Sequence, residues 1–183
     1  MSATVAIIGA GPLGHWLALR AARAGFRVLL EDVMPNSLAH AQEEIRQQLG
    51  RQIQAQPKPE ISFVSTIEDA VREADLVIDC VPDELESKLE IFWLLDRMAP
   101  PRAVLATPTL RQSIRDLAAC TYRPAQCMAI AAEASSLTAG ACTEIHLRTT
   151  PQTAPAAIAL VEAFWRRLEF APITAVENLP LSA

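Results

Sequence analysis

Apolar, β-branched segments alternate with helix-periodic ones along most of this 183-residue chain. A glycine-rich turn follows the first segment, and short hairpin turns are missing from the first half. Together these features predict an α/β fold of the doubly wound kind, a mainly parallel sheet with helices on both faces and right-handed crossovers. The length fits a single domain over residues 1–183, since domains usually run to ~100–200 residues.

The elements follow in order. "TVAII" (4–8) reads as a buried strand ended by glycines, and residues 12–24 as a helix with Leu13, Leu17, Ala21 and Ala24 on one face. "FRVLL" (26–30) is the second strand, and an amphipathic helix over about 36–49 carries Leu38, Ile45 and Leu49. The polar, proline-containing stretch 51–60 reads as a surface loop. "ISFVS" (61–65) is the third strand, after which Thr66 caps a short helix that runs to about 74. "DLVIDCV" (75–81) is the fourth strand. Residues 83–98 form a helix with Leu85, Leu89, Phe92 and Leu95 turned inward. "AVLATP" (103–108) is the fifth strand, followed by a short helix to about 119. "CMAIAA" (127–132) and "TEIHLRT" (143–149) are strands, 154–170 is a helix, and "PITAV" (172–176) is the last strand.

Composition narrows the function. Hydrophobic residues at 51% and charged residues at 20% make a globular mixture with a sizeable core. A net charge of −5 without a basic run argues against nucleic acid. The four cysteines, Cys80, Cys120, Cys127 and Cys142, have no metal-ligand spacing and read as buried free thiols, so no metal is expected. No apolar run approaches the ~18–20 residues of a membrane helix, and the first strand begins without a leader-like segment. A cytoplasmic protein without membrane contact is the expectation.

Gly9, Gly11 and Gly14 stand in G-x-G-x-x-G register with Pro12 and Leu13 between them, where a strand gives way to a helix. In a dinucleotide-binding turn the first glycine makes the turn, the second admits the pyrophosphate, and the third lets helix and strand pack closely. The helix N-terminus adds free N–H groups and partial positive charge. Asp32, eighteen residues beyond Gly14, ends the second strand where a carboxylate can accept from ribose hydroxyls and repel a 2′-phosphate. The fold is therefore expected to be Rossmann-like, with NAD rather than NADP as its cofactor. Glu31 is placed on the opposite side of the same strand. Trp16 threatens to crowd the sheet or the cofactor, and His15 reads as a surface residue.

Beyond the loop, "IIGAGPLG", "LLEDV", "ADLVIDCVPDELESKLEIFWLLD", "AVLATPTLRQSI" and "YRP" follow in order the pattern of a known family. Through them the chain resembles the NAD-binding domain of the 3-hydroxyacyl-CoA dehydrogenases, oxidoreductases of fatty-acid type. The resemblance covers about residues 4–130 and weakens toward 180. It implies that Val81, Pro82 and Asp83, with Lys88 five positions on from Asp83, face the nicotinamide side of the cofactor.

The catalytic motifs depart from that pattern. Where the family has an asparagine and a serine after the fifth strand, this chain has Pro108 and Leu110. Counted from Arg123-Pro124, Ala131 stands at the family's histidine and Ala134 at a second asparagine. Alanine cannot take the proton that leaves an alcohol as its hydride departs. Glu144, allowing one inserted residue, matches the glutamate that orients the histidine. Glu144 and His146 lie at i and i+2 on one strand and would share a face, which makes them the candidate catalytic pair. Glu133 is a further candidate.

In the family a helical domain follows and completes the acyl-CoA site. Here Leu110, Ile130, Leu137, Leu179 and Leu181 are expected to form an apolar patch that a homodimer mate or partner subunit covers. Three functions stay open. One is a non-catalytic NAD(H)-binding module without the standard hydroxyacyl oxidation. Another is a divergent NAD-dependent oxidoreductase on a hydroxyacyl-CoA, acyl-CoA-like or other small hydroxy or keto substrate, its pocket finished by a dimer mate or partner chain. The third, an interaction protein without nucleotide, is opposed by the intact glycines and Asp32.

Overall fold

The computed structural model describes residues 3–50, 59–132, 134–139 and 143–177. An eight-stranded sheet runs in the order β3-β2-β1-β4-β5-β6-β7-β8. Its first half comprises β1 (Thr4–Ile8), α1 (Pro12–Arg23), β2 (Arg27–Glu31), α2 (Pro35–Gly50), β3 (Glu60–Val64), α3 (Ile67–Val71) and β4 (Leu76–Asp79). The second half comprises α4 (Leu85–Met98), β5 (Val104–Pro108), α5 (Ile114–Ala119), β6 (Cys127–Ile130), α6 (Ala134–Thr138), β7 (Glu144–Thr149), α7 (Pro155–Arg167) and β8 (Ala171–Val176). Six strands are mutually parallel, β7 runs against β6, and β8 follows β7 in parallel. The expected doubly wound, Rossmann-like α/β fold is present.

Both faces of the sheet are covered, as strands of nearly pure Val, Ile, Leu and Ala require. Val5, Ile7, Val28, Leu30 and Ile78 pack with α1, α2 and α7. Ala6, Ile8, Leu29, Val77 and Leu105 pack with α3, α4 and α5. Burying a side chain such as Phe92 or Leu95, both fully buried, stabilises the fold by about 1.5–3 kcal/mol. Thr66 caps α3 as its sequence implies, its hydroxyl accepting from the Asp69 N–H at 3.2 Å. Strand order reverses at β1, with β2 on one side and β4 on the other. In open α/β sheets the crevice at the carboxyl ends of such strands is where ligands bind.

Several expectations are corrected. Leu85 opens α4 and is exposed, because the helix begins two residues later than its periodicity suggested. The short helix α6 was not foreseen. Ile130 and Leu137 belong to the core and cannot line a surface patch. Leu179 and Leu181 lie outside the described residues. Cys80, Cys120 and Cys127 are free thiols, but of the three only Cys127 is buried as expected, and Cys142 lies outside the described residues. His15 is half-buried with its Nδ1 3.2 Å from Glu44 Oε2, because α2 packs over the start of α1. Trp16 packs against the core and meets Phe170 edge-on at 6.1 Å. No described helix is long and apolar enough to cross a membrane.

β8 forms one margin of the sheet. The Ala171 and Glu177 N–H groups donate to the carbonyls of Thr143 and Thr149. By alternation, the even-numbered positions turn their backbone nitrogens outward, and Pro172 is one of them.

Candidate functional site

The turn after β1 is built as the glycine spacing demands. Gly9 has φ +99°, a left-handed conformation that glycine adopts without strain. A Cβ on Gly14 would stand 1.8 Å from the Gly9 carbonyl oxygen, so helix and turn meet with no room for a side chain. Around Gly11 a Cβ would meet nothing within 4 Å. That open space faces the start of α1, whose first turn has no side-chain cap. Pro12 opens the helix, where a missing N–H costs nothing. The N-terminus of a twelve-residue helix is thus left free to receive an anion.

A cavity of about 850 Å³ begins at this turn. Gly9, Gly11, Pro12 and Leu13 form one wall and Asp32 and Val33 another, while Val81, Pro82 and Asp83 come from the end of β4. Gly14 sits behind the turn, buried. Asp32 Oδ2 accepts from the Ala10 N–H at 2.8 Å and Oδ1 from the Met34 N–H at 2.7 Å. Each carboxylate oxygen keeps acceptor capacity for a ribose hydroxyl. An anion site, an open approach at Gly11 and a rigid acceptor at Asp32 together fit a dinucleotide.

Two residues expected at the nicotinamide side have other partners. Lys88 does not line the cavity; its Nζ lies 3.0 Å from Asp79 Oδ1, with both side chains buried. Asp83 does line it, and its carboxylate accepts from the Thr109 hydroxyl and from the Leu110 N–H at 3.2 Å. Thr109 Oγ1 in turn accepts from the Arg111 and Gln112 N–H groups at 3.2 and 2.9 Å. Asp83 therefore fixes the loop after β5.

At two positions where the resemblance calls for catalytic groups the cavity wall carries Pro108 and Leu110, and Ala132, next to the family's histidine position at Ala131, also lines it. Ala131 is joined to β7 by its N–H, which donates to the His146 carbonyl at 2.8 Å. Glu144 and His146 are exposed on one face of β7, as the i, i+2 spacing implied. Neither is among the residues around the cavity. Glu133 lies outside the described residues. Among the described residues no cluster suits a metal ion.

The sequence reading missed Thr109 as the partner of Asp83, since nothing local links positions twenty-six residues apart. It placed Glu31 on the strand without a role. Glu31 lines the cavity at 3% exposure, and burial, with Asp32 beside it, pushes its carboxyl up to about 7. An acid two residues beyond Leu29, on the same face at the end of the buried run Val28–Leu30, was the available signal.

The model of the 3-hydroxyacyl-CoA dehydrogenase NAD-binding domain matches residues 4–178. The chain belongs to that family. Its cofactor is accordingly NAD. A probable 3-hydroxybutyryl-CoA dehydrogenase of Bacillus subtilis is 34% identical over 129 residues, which cover 66% of this chain and 45% of that protein. A lambda-crystallin homolog of Bos taurus is 28% identical over 185 residues, or 96% of this chain and 57% of that protein. The crystal structure of an (S)-3-hydroxybutyryl-CoA dehydrogenase from Ralstonia eutropha superposes with a TM-score of 0.84 at 23% identity. It covers 97% of this chain and 65% of the other, and shares the fold. The chain spans about half the length of the curated relatives it matches.

Proposed function

We propose that this NAD-binding domain prefers NAD(H) to NADP(H) and lacks the hydroxyacyl oxidation implied by its family. The observation that carries the reading is the cavity wall, where Pro108 and Leu110 replace the family's asparagine and serine and Ala132 follows the alanine at its histidine position. Among the described residues around the cavity none is a histidine. The NAD cofactor supplies hydride transfer when bound. The chain's own residues bind and orient it: the Gly11 approach and the α1 N-terminus hold the pyrophosphate, and Asp32 accepts from the adenosine ribose. Val81 and Pro82 flank the other half. No group in this set is placed to move a proton from a substrate hydroxyl.

Calorimetric titration with NADH and NADPH, followed by turnover of acetoacetyl-CoA, tests both halves. NADH should bind more tightly than NADPH. Turnover should fall short of ordinary enzymes by the ~10²–10⁴-fold that general acid–base catalysis supplies. A kcat of ~1–10³ s⁻¹ on pure protein would overturn the catalytic half.

The exposed rim supports a second reading. Leu110 is 48% exposed beside Arg111 at the cavity, a surface that a dimer mate or partner subunit could close over an acyl-CoA-like or other hydroxy or keto substrate. Glu144 and His146 are then the residues to test, by Glu144→Gln and His146→Ala. Turnover that rises with protein concentration and falls in these variants would favour this divergent oxidoreductase. Turnover unchanged in both variants would remove the pair from consideration.

A further inference from the structure

Glu31 ends β2 with its backbone in register between Ile8 on β1 and Val64 on β3. Its side chain enters the cavity beside Ile8, Val33 and Ile67, an otherwise apolar corner. Among the described residues no hydrogen bond or ion pair engages its carboxyl, and the residue as a whole is 3% exposed. Buried polar groups are nearly always paired, and leaving one unpaired carries a desolvation cost. A carboxyl that lines a ligand cavity, has no protein partner and would lose its access to water when the cavity fills points to a partner in the ligand.

The chemistry of that partner is restricted. Asp32 is adjacent in the chain, and Asp83 and Glu84 line the same cavity. Across β1 lies Asp79, paired with Lys88. On α3, Glu68 and Asp69 are exposed and paired with Arg72. Arg111 is the lone cation among the described lining residues. So acidic a setting disfavours both ionised Glu31 and a phosphate beside it, and Asp32 already serves the ribose. The apolar corner suits a flat heteroaromatic ring instead. A neutral carboxyl carries a donor and an acceptor side by side, the complement of a ring nitrogen next to an exocyclic amine.

Resting on the NAD-binding reading, we infer that Glu31 reads the adenine edge as a neutral carboxylic acid. Its O–H donates to a ring nitrogen, and its carbonyl oxygen accepts from the exocyclic amine. Glu31 is then a specificity-determining residue for the base, and ionisation breaks the pair by turning its donor oxygen into a second acceptor. Affinity is therefore highest on the acid side of neutrality and falls as Glu31 deprotonates.

The test is calorimetric titration of the wild-type chain with NAD⁺ and with its analogue carrying unsubstituted purine for adenine, at pH 6 and 8.5. At pH 6 adenine should be preferred by about five- to tenfold, the worth of one hydrogen bond. NAD⁺ affinity should fall about thirtyfold by pH 8.5, following the protonated fraction of one acid that titrates at about 7. Glu31→Gln, whose amide also offers donor and acceptor, should keep the base preference and lose the pH dependence. Glu31→Leu should lose both. Equal binding of the two dinucleotides by wild type, or a wild-type affinity flat with pH, overturns the assignment alone. Failure of the wild type to bind NAD⁺ or NADH at either pH overturns the cofactor reading and this assignment with it.

Discussion

Gly14 and Gly9 touch across the turn that opens the site, so that a Cβ on Gly14 would lie 1.8 Å from the Gly9 carbonyl oxygen. No rotamer change relieves that overlap, because both partners are backbone. Gly14→Ala should lower unfolding stability by about 1–3 kcal/mol or more, read as a drop in Tm. Gly11→Ala is the contrasting variant, since its added methyl meets no protein atom within 4 Å. It should keep the wild-type Tm while NADH binding weakens by about tenfold, or 1.4 kcal/mol.

Asp32 holds the turn to β2 through Ala10 and Met34 while facing the cavity. Asp32→Ala should weaken NADH binding by about 1–3 kcal/mol, the range for losing a charged hydrogen-bond partner. NADPH should lose less, because the same change removes a repulsive charge. Calorimetric titration of both nucleotides gives the comparison. Tighter NADPH than NADH binding in the wild type would refute the assigned preference.

Lys88 and Asp79 form a buried ion pair under the cavity. Lys88→Met leaves Asp79 buried without its counter-charge and should cost about 3–5 kcal/mol. Replacing both, Lys88→Met with Asp79→Leu, should recover most of that loss. Chemical denaturation reads it directly. Equal destabilisation in the single and double variants would show that the pair acts by packing alone.

Glu31 also sets a pH dependence on stability in the absence of ligand. Its carboxyl rises from an ordinary 4.5 to about 7, through burial first and Asp32 second. The folded chain then holds a proton that the unfolded chain releases. The stability this contributes is full below about 4.5, declines as pH rises, and is lost above about 7. Glu31→Gln should remove the decline, so that its Tm exceeds that of wild type at pH 8 by more than at pH 5.

Much of this was legible in the residues. Alternating apolar and helical segments give strand and helix positions because burial on both sheet faces leaves few other sequences for β1, β2 and β4. Gly9 and Gly14 were legible because backbone geometry permits few residue types there, and Asp32 because its carboxylate ends the strand that follows the turn. Contacts between distant segments were not. Lys88 reads as a helix charge until the fold brings β4 under it, and Asp83 reads as a cavity residue until the β5 loop supplies Thr109. Ile130 and Leu137 looked like surface because no local pattern announces α6 packing back on the sheet.

Pro172 has a consequence for how copies of this chain can meet. Its nitrogen faces outward from the last strand and carries no hydrogen. Farther along that margin, the Thr174 hydroxyl is tied to Glu162 of α7 at 2.7 Å. An incoming strand would find an interrupted row of donors there, the device by which open sheets avoid templating one another. Open-ended growth of one copy's sheet upon another's, strand upon strand, is thereby discouraged at this end.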